Sequence, residues 1–154
     1  MPCLPRSRTR RFPENKISLL LLDLDLFKQV NDSYGHAIGD ALLIHIAKIL
    51  ENNVRDADTV SRFGGDEFAI LLQGVETSEK VALVAEKIIA ALSKPHHIES
   101  CKVEIGVSIG ITFCPEFADD SEQLFKQADM MMYKAKDAGR NTYRVYSKAD
   151  ITST

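Results

Sequence analysis

Thr59-Val60-Ser61-Arg62-Phe63-Gly64-Gly65-Asp66-Glu67-Phe68-Ala69-Ile70-Leu71-Leu72 decides how this chain is organised. Two strand-like runs, residues 59–63 and 68–72, flank an adjacent pair of glycines. Gly64 and Gly65 can supply the positive φ values of a two-residue turn, so the stretch predicts a β-hairpin. A hairpin imposes antiparallel pairing, and this one sends two acids, Asp66 and Glu67, out of its turn.

On the N-terminal side, residues 17–22 are apolar on both faces, the pattern of a strand at the centre of a sheet. Asp23 and Asp25 close it. A short helical turn through Phe27, Lys28 and Val30 is predicted before Asn31, Asp32, Ser33 and Gly35 break it. From Gly39, the residues Leu42, Leu43, Ile46, Ile49 and Leu50 form one helical stripe that ends at Asn52 and Asn53. On the C-terminal side, Val81, Val84, Ala85, Ile88 and Leu92 mark a second helix, capped by Thr77 or Ser78 and stopped by Pro95. Val103, Ile105, Val107, Ile109 and Ile111 alternate with polar residues or glycine, which predicts a strand with one buried face. Asp120, with Gln123 three residues on, caps a last helix with Leu124, Ala128, Met131, Met132 and Ala135 inside and Gly139 at its end. Residues 142–146 supply a closing strand. The order β-α-α-β-β-α-β-α-β predicts an α+β domain: an antiparallel or mixed sheet with helices gathered on one face, the ferredoxin-like plan.

The chain has 154 residues, 45% of them hydrophobic and 27% charged, values of a single globular domain rather than a disordered or fibrous chain. The longest apolar run, residues 19–22, is far too short to cross a bilayer, and no signal-peptide pattern is present, so a soluble, cytoplasmic domain is expected. Net charge is −3, but residues 1–16 hold five bases (Arg6, Arg8, Arg10, Arg11, Lys16) against Glu14. That leaves 14 bases against 21 acids in the rest. A body this acidic argues against a nucleic-acid polymer as partner. The three cysteines, Cys3, Cys101 and Cys114, have no C-x-x-C spacing and suggest neither disulfides nor a zinc site.

If the first strand and the hairpin are neighbours, Asp23, Asp25, Asp66 and Glu67 share one sheet edge. Two like charges at 4 Å repel by roughly 4 kcal/mol at an effective dielectric near 20, so such a group calls for a cation or for raised pKa values. An all-oxygen donor set favours Mg²⁺ or Mn²⁺, ions that also carry phosphates. Solvated strand ends are the plain alternative. Gly64 and Gly65 can be turn chemistry alone, or can admit a ligand where a Cβ would clash. Lys28, Lys136 and Arg140 are either surface bases or partners for phosphate.

Ser61-Arg62-Phe63-Gly64-Gly65-Asp66-Glu67-Phe68 resembles the signature of the GGDEF family, the diguanylate cyclases. The stretch D-L-D-L-F-K-Q-V-N-D-S-Y-G-H-A-I-G-D from Asp23 to Asp40 is similar to a second hallmark of that family, and Ala135-Lys136-Asp137-Ala138-Gly139-Arg140-Asn141 to a third. The resemblance covers residues 17–145 and implies a nucleotidyl-cyclase-type palm that condenses two GTP into cyclic di-GMP and two pyrophosphates. By position it implies Asp23, the carbonyl of Leu24, Asp66 and Glu67 around Mg²⁺ or Mn²⁺. Asp66 would also be the general base, with Glu67 beside it. Asn31 and Asp40 would read guanine, with His36 near the base or ribose. Lys28, Lys136 and Arg140 would meet the triphosphate at the Gly64-Gly65 turn.

Arg55-Asp56-Ala57-Asp58 matches the family's R-x-x-D inhibitory site for the product, with Lys87 where arginine is more usual. The resemblance further implies a homodimer for catalysis and a larger regulatory chain, tethered to a membrane where its other domains provide the anchor. It divides the chain into an atypical basic start (1–16), a catalytic domain (17–148) and a tail (149–154). The alternatives are a non-catalytic GGDEF module that binds GTP or cyclic di-GMP to regulate an attached phosphodiesterase, and a purely structural dimerisation domain.

Overall fold

Four consecutive leucines cannot all face one core, and the chain resolves this by placing them at the centre of a sheet covered on both sides. In the computed structural model, which describes residues 16–62, 64–74, 77–114 and 116–151, strand β1 (Ile17–Asp25) is buried along its whole length. It pairs antiparallel with β3 (Glu67–Gln73) on one side and with β6 (Gly106–Cys114) on the other. β2 (Thr59–Arg62) extends the sheet beyond β3, and β7 (Tyr143–Val145) lies parallel to β6. The order is β2-β3-β1-β6-β7, a mostly antiparallel, mixed sheet in an α+β fold, as predicted.

The helices do not gather on one face. Helices α1 (Phe27–Tyr34), α2 (His36–Asn52) and α3 (Ser78–Ser93) are joined by one core to Leu20, Leu22, Phe68, Ile70, Val107, Ile109 and Ile111. Helix α4 (Ser121–Asp137) covers the other face through Leu124, Ala128 and Met132 on Leu19, Leu21, Ala69 and Leu71. β6 is therefore buried on both faces, contrary to the one-faced strand its alternation predicts. Ser108 and Thr112 are fully buried, and a Cβ on Gly110 would sit 2.0 Å from the carbonyl oxygen of Ala128. The polar and glycine positions of β6 are the seat of α4, not a solvent face.

Local signals place the ends well. The side chain of Thr77 caps α3 by accepting from Lys80 N, and that of Asp120 caps α4 by accepting from Gln123 N. The Gln123 side chain returns to Asp119 N instead of the capping residue. The Gly64-Gly65 turn departs from the expectation: four residues separate β2 from β3, and Gly65 does not occupy the left-handed region. Helix α2 starts at His36, three residues before the stripe that predicts it. A ribbon of β4 (His96–Ile98) and β5 (Cys101–Val103) carries no glycine signal; Glu99, at φ 56°, makes its turn. The 148/149 boundary falls inside α5 (Lys148–Ile151), where Asp150 binds Lys134 and Ser147. The basic start, apart from Lys16, lies outside the described residues. Cys101 and Cys114 are free thiols, and burial pushes the thiol of Cys114 up to about 11. Among the described residues no helix is long and apolar enough to cross a membrane.

Candidate active site

Strand periodicity brings the acids together. Asp23 lies opposite Glu67 in the β1–β3 register, on the α4 face of the sheet, and the amide of Leu24 donates to the carbonyl of Asp66 at 3.0 Å. One carboxylate oxygen each from Asp23, Asp66 and Glu67 falls within a sphere where all separations are at most 4.8 Å. Asp23 is buried, and Asp66 and Glu67 are half-buried. Burial first, then the charge of Asp23, raises the pKa of Asp66. The same two causes raise that of Glu67, with Asp66 and Asp129 adding to them. Lys136, from the end of α4, is bonded to Asp23. Its pKa is raised against the opposing effect of burial, by that hydrogen bond and by the charges of Asp23, Asp25 and Asp66. Three carboxylates against one ammonium leave a local excess of negative charge, and all the donors are oxygens. This set fits a hard divalent cation.

Asp25, one pleat beyond Asp23, is not part of the cluster. Its carboxylate is buried and accepts from Ser108 Oγ at 2.8 Å and Asn141 N at 2.9 Å, with Arg140 Nε at 3.9 Å. Gly139, Arg140 and Asn141 have φ values of 116°, 65° and 50° in succession. Left-handed backbone costs most non-glycine residues about 1–2 kcal/mol and asparagine less, so Arg140 in particular needs the surroundings to hold it.

An open groove of about 460 Å³ runs past this edge, its lining including Asp23, Asp25, Lys28, Asp66, Lys136 and Arg140. Lys28 reaches it from α1, although its side chain is 89% exposed and leans on Asp32 at 3.8 Å. Asn31 lies three residues further on the same helix, about 4.5 Å along the axis. A Cβ on Gly39 would fall 1.8 Å from Asn31 Oδ1, so glycine there lets the Asn31 amide rest against α2 beside Asp40. Asp40 and His36 are exposed on the same helix. At the hairpin, a Cβ on Gly64 would press on Glu67 at 3.0 Å, whereas one on Gly65 would meet nothing within 4 Å. Packing thus explains Gly64 and leaves Gly65 open for the approach of a ligand. Arg62 steadies the turn by donating to the carbonyls of Gly64 and Gly65.

Arg55 and Asp58 lie away from this groove, between α2 and β2. Asp58, with its side chain 1% exposed, accepts from the amide, Nε and a terminal nitrogen of Arg55 and from Gln73 N. These bonds overcome burial and lower its pKa. Arg55 is also bonded to the carbonyl of Gln73, and it keeps an exposed face. Lys87 is exposed on α3 and makes no hydrogen bond or ion pair with either residue. Sequence reasoning did not single out Ser108 or Asp129 as neighbours of the acids, because both sit on other elements and carry no local signature.

A family model described as diguanylate cyclase, GGDEF domain, matches residues 6–142. The chain belongs to the GGDEF domain family. It is 44% identical over 130 residues to the bifunctional diguanylate cyclase/cyclic di-GMP phosphodiesterase MucR of Pseudomonas aeruginosa, covering 84% of this chain and 19% of MucR. It is 38% identical over 131 residues to the diguanylate cyclase TpbB of the same species, covering 84% of this chain and 30% of TpbB. The chain thus spans under a third of the length of either relative. The solved GGDEF domain of TpbB (YfiN) superposes with a TM-score of 0.83 at 37% identity, covering 87% of this chain and 84% of that one. The GGDEF domain of DgcB from Caulobacter crescentus, solved in complex with cyclic di-GMP, gives a TM-score of 0.77 at 27% identity, with 86% and 79% covered.

Proposed function

We propose that this GGDEF domain is a diguanylate cyclase, joining two GTP into cyclic di-GMP with release of two pyrophosphates. The observation that carries this reading is the close group of Asp23, Asp66 and Glu67 beside a glycine turn with open space in front of it. Asp23, Asp66, Glu67 and the carbonyl of Leu24 would hold Mg²⁺ or Mn²⁺. Such a cation, when bound, offsets triphosphate charge and acidifies a nearby hydroxyl. Lys136, Arg140 and Lys28 bind phosphate oxygens. Asn31 and Asp40 match the guanine edge with an amide and a carboxylate, and His36 flanks the base or ribose.

Asp66 takes the proton of the ribose 3′-hydroxyl, for which its raised pKa suits it. The 3′-oxygen then bonds to the α-phosphorus of a facing GTP as the bond to pyrophosphate breaks. Each domain holds one GTP, so two copies must face each other, and each forms one of the two ester bonds. Asp66→Ala is expected to reduce turnover by about 10²–10⁴-fold. Near-normal turnover by that variant contradicts the assignment. Where GTP is the substrate the domain works in the cytoplasm, as one part of a longer regulatory chain.

Product feedback is proposed through Arg55, Asp58 and Lys87. Asp58 has both oxygens occupied, so its part is to orient Arg55, whose exposed guanidinium meets the guanine of cyclic di-GMP. Lys87 lacks the planar fork of arginine and weakens this site. Isothermal titration with Arg55→Ala is expected to show loss of cyclic di-GMP binding, and unchanged affinity contradicts it.

A further inference from the structure

Asp25 is a buried carboxylate beside the cluster that the proposed chemistry does not use. It lines the groove, but both of its oxygens are engaged by the protein: one takes the hydroxyl of Ser108 and the other the backbone amide of Asn141. Asn141 in turn accepts from Val107 N and Ser93 Oγ through its side chain, and closes on Gly106. The turn that leaves α4 is thus pinned from both sides while Gly139, Arg140 and Asn141 all keep positive φ. An unsupported turn of this kind relaxes, because Arg140 has neither the freedom of glycine nor the local hydrogen bonding by which asparagine tolerates that region. Pinned, it directs the Arg140 side chain back toward the end of β1, where its Nε comes within 3.9 Å of Asp25. Lys136, one turn earlier on α4, feels the same carboxylate.

We infer that Asp25 is a positioning residue for nucleotide binding: through its hydrogen bond to the Asn141 amide it fixes the strained Arg140-Asn141 turn that presents Arg140 to the triphosphate. This rests on the proposed GTP site, and it assigns Asp25 neither a metal-ligand nor a proton-transfer role. The hydrogen bonds, not the charge, are the operative part. An asparagine in the same rotamer can offer its carbonyl to Asn141 N and its NH₂ to Ser108 Oγ, which can accept as well as donate. The conservative variant therefore restores function where alanine does not.

The experiment is titration of the whole chain and its variants with GTP and with guanosine, and with Mn²⁺ alone. Asp25→Ala is expected to weaken GTP binding on the order of tenfold while guanosine and Mn²⁺ bind as before, since only the phosphate subsite is disturbed. Asp25→Asn should return GTP affinity to within about twofold of wild type, and Asp25→Ala should add nothing in an Arg140→Ala background. Equal losses for GTP and guanosine would make Asp25 merely structural and overturn the inference. Loss of Mn²⁺ binding in Asp25→Asn would make it a metal ligand, with the same result. If Asp25→Ala does not fold, Ser108→Ala decides: removing one support of the carboxylate should give the same GTP-selective loss at about two- to threefold, and no change overturns the inference. Failure of the wild-type chain to bind GTP counts instead against the site on which the inference rests.

Discussion

Asp66 and Glu67 show how one residue pair couples stability to ligand. Both have raised pKa values, so the folded chain holds their protons more tightly than the unfolded chain does. Their contribution is fully present below the ordinary carboxylate range and is lost as pH rises through the raised values. In the proposed site a cation would take the place of the protons above that range. Mg²⁺ is therefore expected to raise the melting temperature by a few degrees at about pH 7.5 and to have almost no effect near pH 4, as read by calorimetry. An Asp66→Asn variant should melt higher than wild type without metal and lose most of the Mg²⁺ shift. The acids themselves could be read from sequence because strand alternation and the glycine pair fix their positions. The role of Asp25 could not, since it depends on Ser108 and Asn141, 83 and 116 residues away.

At the scale of elements, the contact between α4 and β6 matters most, because it places Lys136 and Arg140 over the acids. Gly110 allows it: a Cβ there would overlap the backbone at Ala128 and Met132. Gly110→Ala is expected to destabilise the fold by about 2–3 kcal/mol in urea unfolding and to weaken GTP binding with it. Asp120→Ala, which removes the cap of the same helix, should cost about 1 kcal/mol. Unchanged unfolding midpoints would contradict both. The nine predicted elements follow from periodicity and caps, but β4, β5 and α5 carry no such signal, and the strand predicted over residues 103–111 runs instead over Gly106–Cys114, with Val103 in β5. Which face each helix covers does not follow, because Ser108, Gly110 and Thr112 look like a solvent face until α4 is seen to lie on them. The β4–β5 ribbon was hidden for a related reason: its turn uses Glu99 at positive φ in place of glycine.

For the whole molecule, the proposed reaction joins two GTP, one held by each domain at its open groove, so the proposal requires two copies. Specific activity should rise with protein concentration and level off as pairs form, and a flat dependence at low concentration would contradict a pairing requirement. The acidic body suits the proposed substrate: it disfavours a polynucleotide, while its clustered carboxylates would recruit the cation that accompanies a triphosphate. The most direct test is to incubate the chain at high concentration with GTP and Mg²⁺ or Mn²⁺ and resolve the products by chromatography. The account predicts cyclic di-GMP and pyrophosphate in a 1:2 ratio, both absent when metal is omitted. GTP bound but unconverted under these conditions would contradict it and leave a binding module in place of an enzyme.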